Sequence, residues 1–178
     1  MQRAHASDKP FVSIDVETTG LWPKRGDRVI AVGCARLTGR RITAEFHSLI
    51  HTKRPIRQAC RAIHGISNKM LAGMPPPEEV FPMLREFIGA APVIAHNAVF
   101  DAGFLRYEFR RLGLLLPNRF ICTLDMARKH FPELPNHRLE TVARHVLGKL
   151  PEGVRPHGAL DDARLAAYVW MEMEGMNP

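Results

Sequence analysis

The sequence predicts an α/β sandwich built around a mixed sheet, and two observations carry that prediction. Three apolar, partly β-branched runs come first, Phe11 to Ile14, Val29 to Leu37 and Ile42 to Ile50, closely spaced in the manner of an antiparallel meander. After them, short apolar segments at Pro92–Ala95 and Phe120–Cys122 each lead directly into a helical pattern. Hairpin strands followed by strand–helix alternation require helices to cover the sheet. At 178 residues, with 46% hydrophobic and 24% charged residues, the chain can bury a full core. Residues 1–10, MQRAHASDKP, read as a loose lead-in and residues 11–175 as one domain.

The elements follow in order. The first strand starts at Phe11 and ends at an acidic pair, Asp15 and Glu17, before a loop from Leu21 to Asp27 that contains Pro23 and Gly26. Thr38-Gly39 reads as the tight turn between the second and third strands. Pro55 to His64 has helical spacing and meets a C-cap at Gly65, and Ser67 caps a further short turn. Met74-Pro75-Pro76-Pro77 is a rigid break, after which Val80, Met83, Leu84, Phe87 and Ile88 make one apolar helix face ending at Gly89. A helix with a basic outer side spans Phe100 to Leu112. Helices at Thr123–His130 and Leu139–Leu147 precede a last one, introduced by Pro156 and running to about Glu174.

The net charge is +7, which favours a polyanionic partner. Basic residues cluster at Lys24, Arg25 and Arg28; at Arg40 and Arg41; at Lys53, Arg54, Arg57 and Arg61; and at Arg106, Arg110 and Arg111. Cys34, Cys60 and Cys122 are widely spaced and never form a CxxC pair, which argues against a disulfide framework or structural zinc and fits a reducing compartment. The N-terminal residues lack the apolar core of a signal peptide, and no apolar run approaches membrane-spanning length, so a cytoplasmic location is expected.

The chemistry centres on FVSIDVETTGL, residues 11–21. In a strand Asp15 and Glu17 share one face at its C-terminal end. Neighbouring carboxylates repel and raise each other's pKa; a cation relieves this, and hard oxygen ligands suit magnesium or manganese. Taken alone, an acidic turn explains the motif as well. In VIAHNAVFD, Asp101 stands just past a strand, where ligands gather in open α/β sheets, although a favourable first-turn acid would look the same. His96 and Asn97 read equally as loop hydrogen-bonders. HGALDDARLAAYVW offers Asp161 and Asp162. Counting +3, +4, +7 and +11 from Asp162 gives Leu165, Ala166, Val169 and Met173, whereas Asp161 shares its face with Arg164, Tyr168 and Glu172. Asp162 is therefore the inward acid. His157, following Pro156, sits on the approach loop; a histidine near four carboxylates is a natural general base, but nine histidines make no single one diagnostic.

Together, DVETTGL, IHGIS, IAHNAVFD and HGALDDARL, in that order across about Phe11 to Gly175, closely resemble the DnaQ-like 3′–5′ exonucleases with DEDD carboxylates and a motif-three histidine, which include the epsilon subunit of bacterial DNA polymerase III and the PolC exonuclease domain. The resemblance implies a ribonuclease-H-like three-layer sandwich, with a mixed five-stranded sheet and helices on both faces. It implies that Asp15, Glu17, Asp101 and Asp162 hold two divalent ions, magnesium or manganese, with Asp15 shared between them, and that His157 is the general base. The family's spacing from histidine to aspartate agrees with Asp162. Thr18, Gly20 and Leu21 would touch the terminal nucleotide, Phe100 would pack by its base or sugar, and His64, His96 and Asn97 would line the same pocket. The implied substrate is a single-stranded or frayed 3′ end of DNA, and a polymerase is the implied partner, although no tether segment or clamp-binding segment is evident. RNA or short oligonucleotides are the alternative substrate, and an inactive nucleic-acid-binding scaffold is a third reading that the intact set of acids disfavours.

Overall fold

The computed structural model describes residues 9–153 and 157–176. Most of the expected lead-in and Pro156 lie outside the described residues. β1 (Phe11–Thr18), β2 (Val29–Thr38) and β3 (Arg41–Leu49) form the antiparallel meander, and β4 (Val93–Ala95) and β5 (Phe120–Cys122) add parallel to its other side. The sheet order is β3-β2-β1-β4-β5. The chain turns between β2 and β3 at Gly39-Arg40, one residue later than expected, because Gly39 supplies the positive φ of 58°.

Period-two alternation sorts each strand between two helical layers. Val12, Ile14, Val16, Val32, Cys34, Val93 and Ala95 face α3 (Pro77–Ile88) and α4 (Ala98–Arg111), where Phe81, Leu84, Phe104 and Phe109 are fully buried. The neighbouring Leu37 and Ile94 face the opposite layer, packing on Ala167, Trp170 and Met171 of α7 (Ala159–Met173). Behind α7 lie α5 (Thr123–His130) and α6 (Leu139–Leu147), joined through Ala127, Val142, Leu165, Val169 and Met173. Helices on both faces of a mixed five-stranded sheet give the ribonuclease-H-like sandwich that the motifs imply.

Two expectations about helices change. The helix after the third strand, α1 (Gln58–His64), starts three residues later than Pro55, because the Arg57 N–H is spent on the Thr19 carbonyl at 3.0 Å. On α3 the buried stripe is Val80, Phe81, Leu84 and Ile88, while Met83 is 60% exposed. Phe81 wins that place because it sits at helical spacing with Leu84 and Ile88 and meets Phe109 edge-on at 5.5 Å between ring centroids. The short α2 (Asn68–Leu71) begins as expected at Ser67, whose Oγ accepts from the Met70 N–H at 3.3 Å.

Candidate active site

The site forms where β1 ends. Val16 is buried in the α3–α4 layer, so Asp15 and Glu17 on either side of it must face α7. Directly across the ladder from Asp15 is Gly33 of β2. A Cβ there would lie 2.2 Å from the backbone of Ala159 and Leu160, so only glycine lets the first turn of α7 rest on the strand. That contact delivers Asp162. One carboxylate oxygen each from Asp15, Glu17 and Asp162 lies within 4.8 Å of the other two. Asp161 instead accepts from Arg164 Nη1 at 2.7 Å, and the same guanidinium forks onto Glu45 at 2.7 and 2.6 Å.

Asp101 reaches the same place from the first turn of α4. β1 and β4 pair only through Val12–Val93 and Ser13–Ile94, and beyond that point the Val16 N–H donates to Asp101 Oδ1 at 3.2 Å. Asp101 is 2% exposed. Burial raises its carboxyl to about 8, against the opposing pull of that N–H. Glu17 is pushed up to about 8 by burial and by Asp162 and Asp101, and Asp162 to about 6, chiefly by burial. Asp15 goes well above the ordinary carboxylate range through burial and repulsion from Asp101, Glu17 and Asp162. Among the described residues, no arginine or lysine forms an ion pair with any of these four acids. Clustered, half-buried to buried carboxylate oxygens with surplus negative charge are the donor set that a hard divalent cation takes.

His157 stands on the loop before α7, exposed and with a φ of 68°, and its backbone N–H donates to Asp162 Oδ2 at 3.1 Å. The loop thus orients the acid, and the imidazole is open to solvent. The other two histidines are held within the protein. His64 accepts the Ile66 N–H at Nδ1 (3.0 Å), which leaves Nε2–H for the Thr18 carbonyl at 3.3 Å. His96 places Nε2 2.8 Å from the His137 carbonyl and Nδ1 2.9 Å from Thr123 Oγ1. Burial lowers the pKa of both rings, which favours the neutral form.

Beside the acids runs a groove of about 710 Å³ between the loop after β1 and the start of α4, lined by Leu21, Trp22, Asn97, Val99 and Phe100 among others. Leu21, Asn97 and Phe100 were expected near a ligand, and they share this groove. Thr18 and Gly20 lie buried beneath it, the Thr18 hydroxyl donating to the Gly20 carbonyl at 2.6 Å. Sequence reasoning missed Trp22 and Val99, which are 52% and 80% exposed, and it missed Gly33. A signal for Gly33 was present: a lone glycine inside the apolar strand VIAVGCARL marks a close backbone approach. It also passed over Asp27, which is 1% exposed and accepts from the Trp22 N–H at 3.0 Å while pairing with Arg54 and Arg57. Asp27 and Arg57 leave no room for a side chain on Gly20.

Comparison with known proteins places this geometry. A family profile described as Exonuclease matches residues 12–170. The chain is 32% identical over 163 residues to a PolC-type DNA polymerase III of Caldanaerobacter subterraneus, covering 92% of this chain and 11% of that protein. It is 35% identical over 172 residues to a DNA polymerase III subunit epsilon of Aquifex aeolicus, covering 96% of this chain and 83% of the relative. A solved structure of exonuclease X in complex with 5′ overhanging duplex DNA superposes with a TM-score of 0.73 at 26% identity, covering 92% of this chain and 90% of that one. The chain therefore spans about a tenth of the PolC-type relatives and most of the epsilon subunits, and with its fold and motifs it belongs to the Exonuclease family.

Proposed function

We propose that residues 11–175 are a single domain that hydrolyses the terminal phosphodiester at 3′ ends of DNA and releases nucleoside 5′-monophosphates. The observation that carries this reading is the convergence of four carboxylates, Asp101 buried and the other three half-buried, none with an arginine or lysine ion-pair partner among the described residues, at the end of β1 in a chain of this family. Asp15, Glu17, Asp101 and Asp162 would hold two divalent ions, magnesium or manganese, with Asp15 shared. When bound, such ions make the attacking water more acidic and neutralise charge on the scissile phosphate.

The protein's own side chains do the positioning. Asp162 is held by the His157 N–H and Asp101 by the Val16 N–H, so neither carboxylate drifts as charge builds between them. The exposed His157 imidazole takes the proton of the attacking water and passes it to solvent. Leu21 and Phe100 receive the terminal base and sugar, with Asn97 at the rim. Their apolar surfaces accept base faces and read no base edge, which favours little sequence specificity. His64 and His96 act behind the groove surface, fixing Thr18 and the end of β4. The epsilon-subunit relatives favour a replicative polymerase as partner and a cytoplasmic setting. Among the described residues no helix is long and apolar enough to cross a membrane.

Incubation with 3′- and 5′-labelled single strands, mismatched duplex and RNA, in magnesium or manganese, tests the reading. Shortening from the 3′ end with release of labelled mononucleotide, stopped by EDTA, is expected. Internal fragments, or activity that survives EDTA, would overturn it, and RNA cut faster than DNA would reassign the substrate.

A further inference from the structure

The loop from Leu21 to Gly26 has two unlike flanks. One borders the apolar groove with α4. The other borders a separate cleft of about 520 Å³, lined by Gly26, Arg28, Lys53, Arg54, Glu78 and Arg111 among others. The cleft's charge is unbalanced. Arg28 is spent on Glu108 at 2.6 Å, and Arg54 leans on Asp27 at 3.4 Å. Lys53 and Arg111 are exposed and pair with no described carboxylate, and Glu78 is the only acid in the lining.

The partition between the two grooves is stiff. Asp27 at its base is gripped by the Trp22 N–H and by Arg54 and Arg57, and Gly26 N–H closes onto the Pro23 carbonyl at 3.0 Å. A strand whose bases lie along Leu21, Trp22 and Phe100 stays on the α4 side of this partition. The basic cleft lies across it. Arg111 follows Asp101 by ten helical positions, roughly 15 Å along α4.

We infer that the basic cleft formed by Lys53, Arg54 and Arg111 carries the phosphodiester backbone of the complementary strand, so that the Leu21–Gly26 loop divides a duplex end between two grooves. This rests on the exonuclease reading for the identity of the cut strand. The chemistry is phosphate neutralisation by Lys53 and Arg111, which pair with no described carboxylate, beside Arg54, which leans on Asp27, and it carries no sequence information.

Binding without turnover tests it. In an Asp15→Asn background, fluorescence anisotropy compares a labelled single strand with the same strand annealed to a longer complement, across a salt series. The added pair Lys53→Ala and Arg111→Ala is expected to weaken duplex binding about 10-fold and to lower its salt slope by about 2, with a several-fold smaller loss on the single strand. Equal weakening on both ligands would assign the cleft to the cut strand, and no change on either would remove nucleic acid from it; each overturns the inference. A parent protein that binds both ligands but hydrolyses neither would sink the exonuclease reading and leave the binding comparison intact.

Discussion

Two sets of buried and half-buried carboxylates in this protein have opposite surroundings. Asp27 and Glu108, each 1% exposed, are met by guanidinium groups: Arg54 and Arg57 at 3.4 and 3.3 Å for Asp27, and a two-pronged Arg28 at 2.6 and 2.8 Å for Glu108. Asp15, Glu17, Asp101 and Asp162 have no such partner among the described residues; burial drives all four carboxyls upward, and repulsion from the others of the set adds to it at Asp15 and Glu17. The first set closes its own charge and holds the loop and β2 to the helices. The second leaves its charge open at a strand end, an arrangement that costs stability unless something positive arrives. Burial alone therefore does not mark a functional acid; burial without a countercharge does.

The sharpest test of that contrast exchanges one acid from each set for its amide. Asp15→Asn should lower exonuclease turnover at least 1,000-fold, by about that order, while the metal-free protein melts no lower than the parent because a repelled charge has gone. Glu108→Gln should do the reverse. It strands Arg28, and chemical denaturation should read a loss of roughly 3 kcal/mol, with activity per folded molecule retained. If Asp15→Asn melted the protein or Glu108→Gln left stability untouched, the two sets would not differ as described.

The next test is pH. Unfolded carboxyls release their protons near pH 4, whereas folded Asp162 holds its proton to about 6 and Glu17 and Asp101 to about 8. Across that window the folded state binds more protons, so rising pH removes stability from the metal-free protein. Its melting temperature should fall from about pH 5 to about pH 9, and magnesium should raise it most at the upper end, where the acids are ionised. A metal-induced shift of the same size at both ends would contradict the assignment.

The smallest effect is expected at Asp161. Its partner Arg164 keeps a fork on Glu45, so Asp161→Asn should change turnover less than about threefold and stability by less than about 1 kcal/mol. Asp162→Asn should match Asp15→Asn. The opposite ranking would mean that the helix faces have been read the wrong way round.

How far the sequence could be read follows from the range of the interactions involved. Strand and helix identities were legible because the apolar periods are local, and Asp162 could be chosen over Asp161 from the face it shares with Leu165 and Val169. Period alone misassigned Met83, because which of two neighbouring apolar residues is buried depends on Phe109, far along the chain. The protein ties of His64 and His96 were illegible for the same reason: their partners include the carbonyls of Thr18 and His137, which the sequence does not name as acceptors. Resemblance supplied the list of acids. That no described arginine or lysine pairs with them is visible only in three dimensions.

The seat that Gly33 provides for α7 has a consequence in time. Within this region Asp15 and Glu17 sit on β1, and Asp162 arrives on α7, which begins at residue 159 and is made after the five strands. During synthesis Asp15, Glu17 and Asp101 are finished long before the fourth acid, Asp162, can be brought beside them over the strand that Gly33 keeps clear. Because Asp162 docks only when α7 settles on β2, a chain made only part-way through this region lacks the full set of carboxylates, and the cation-binding site is not assembled until folding of this region is complete.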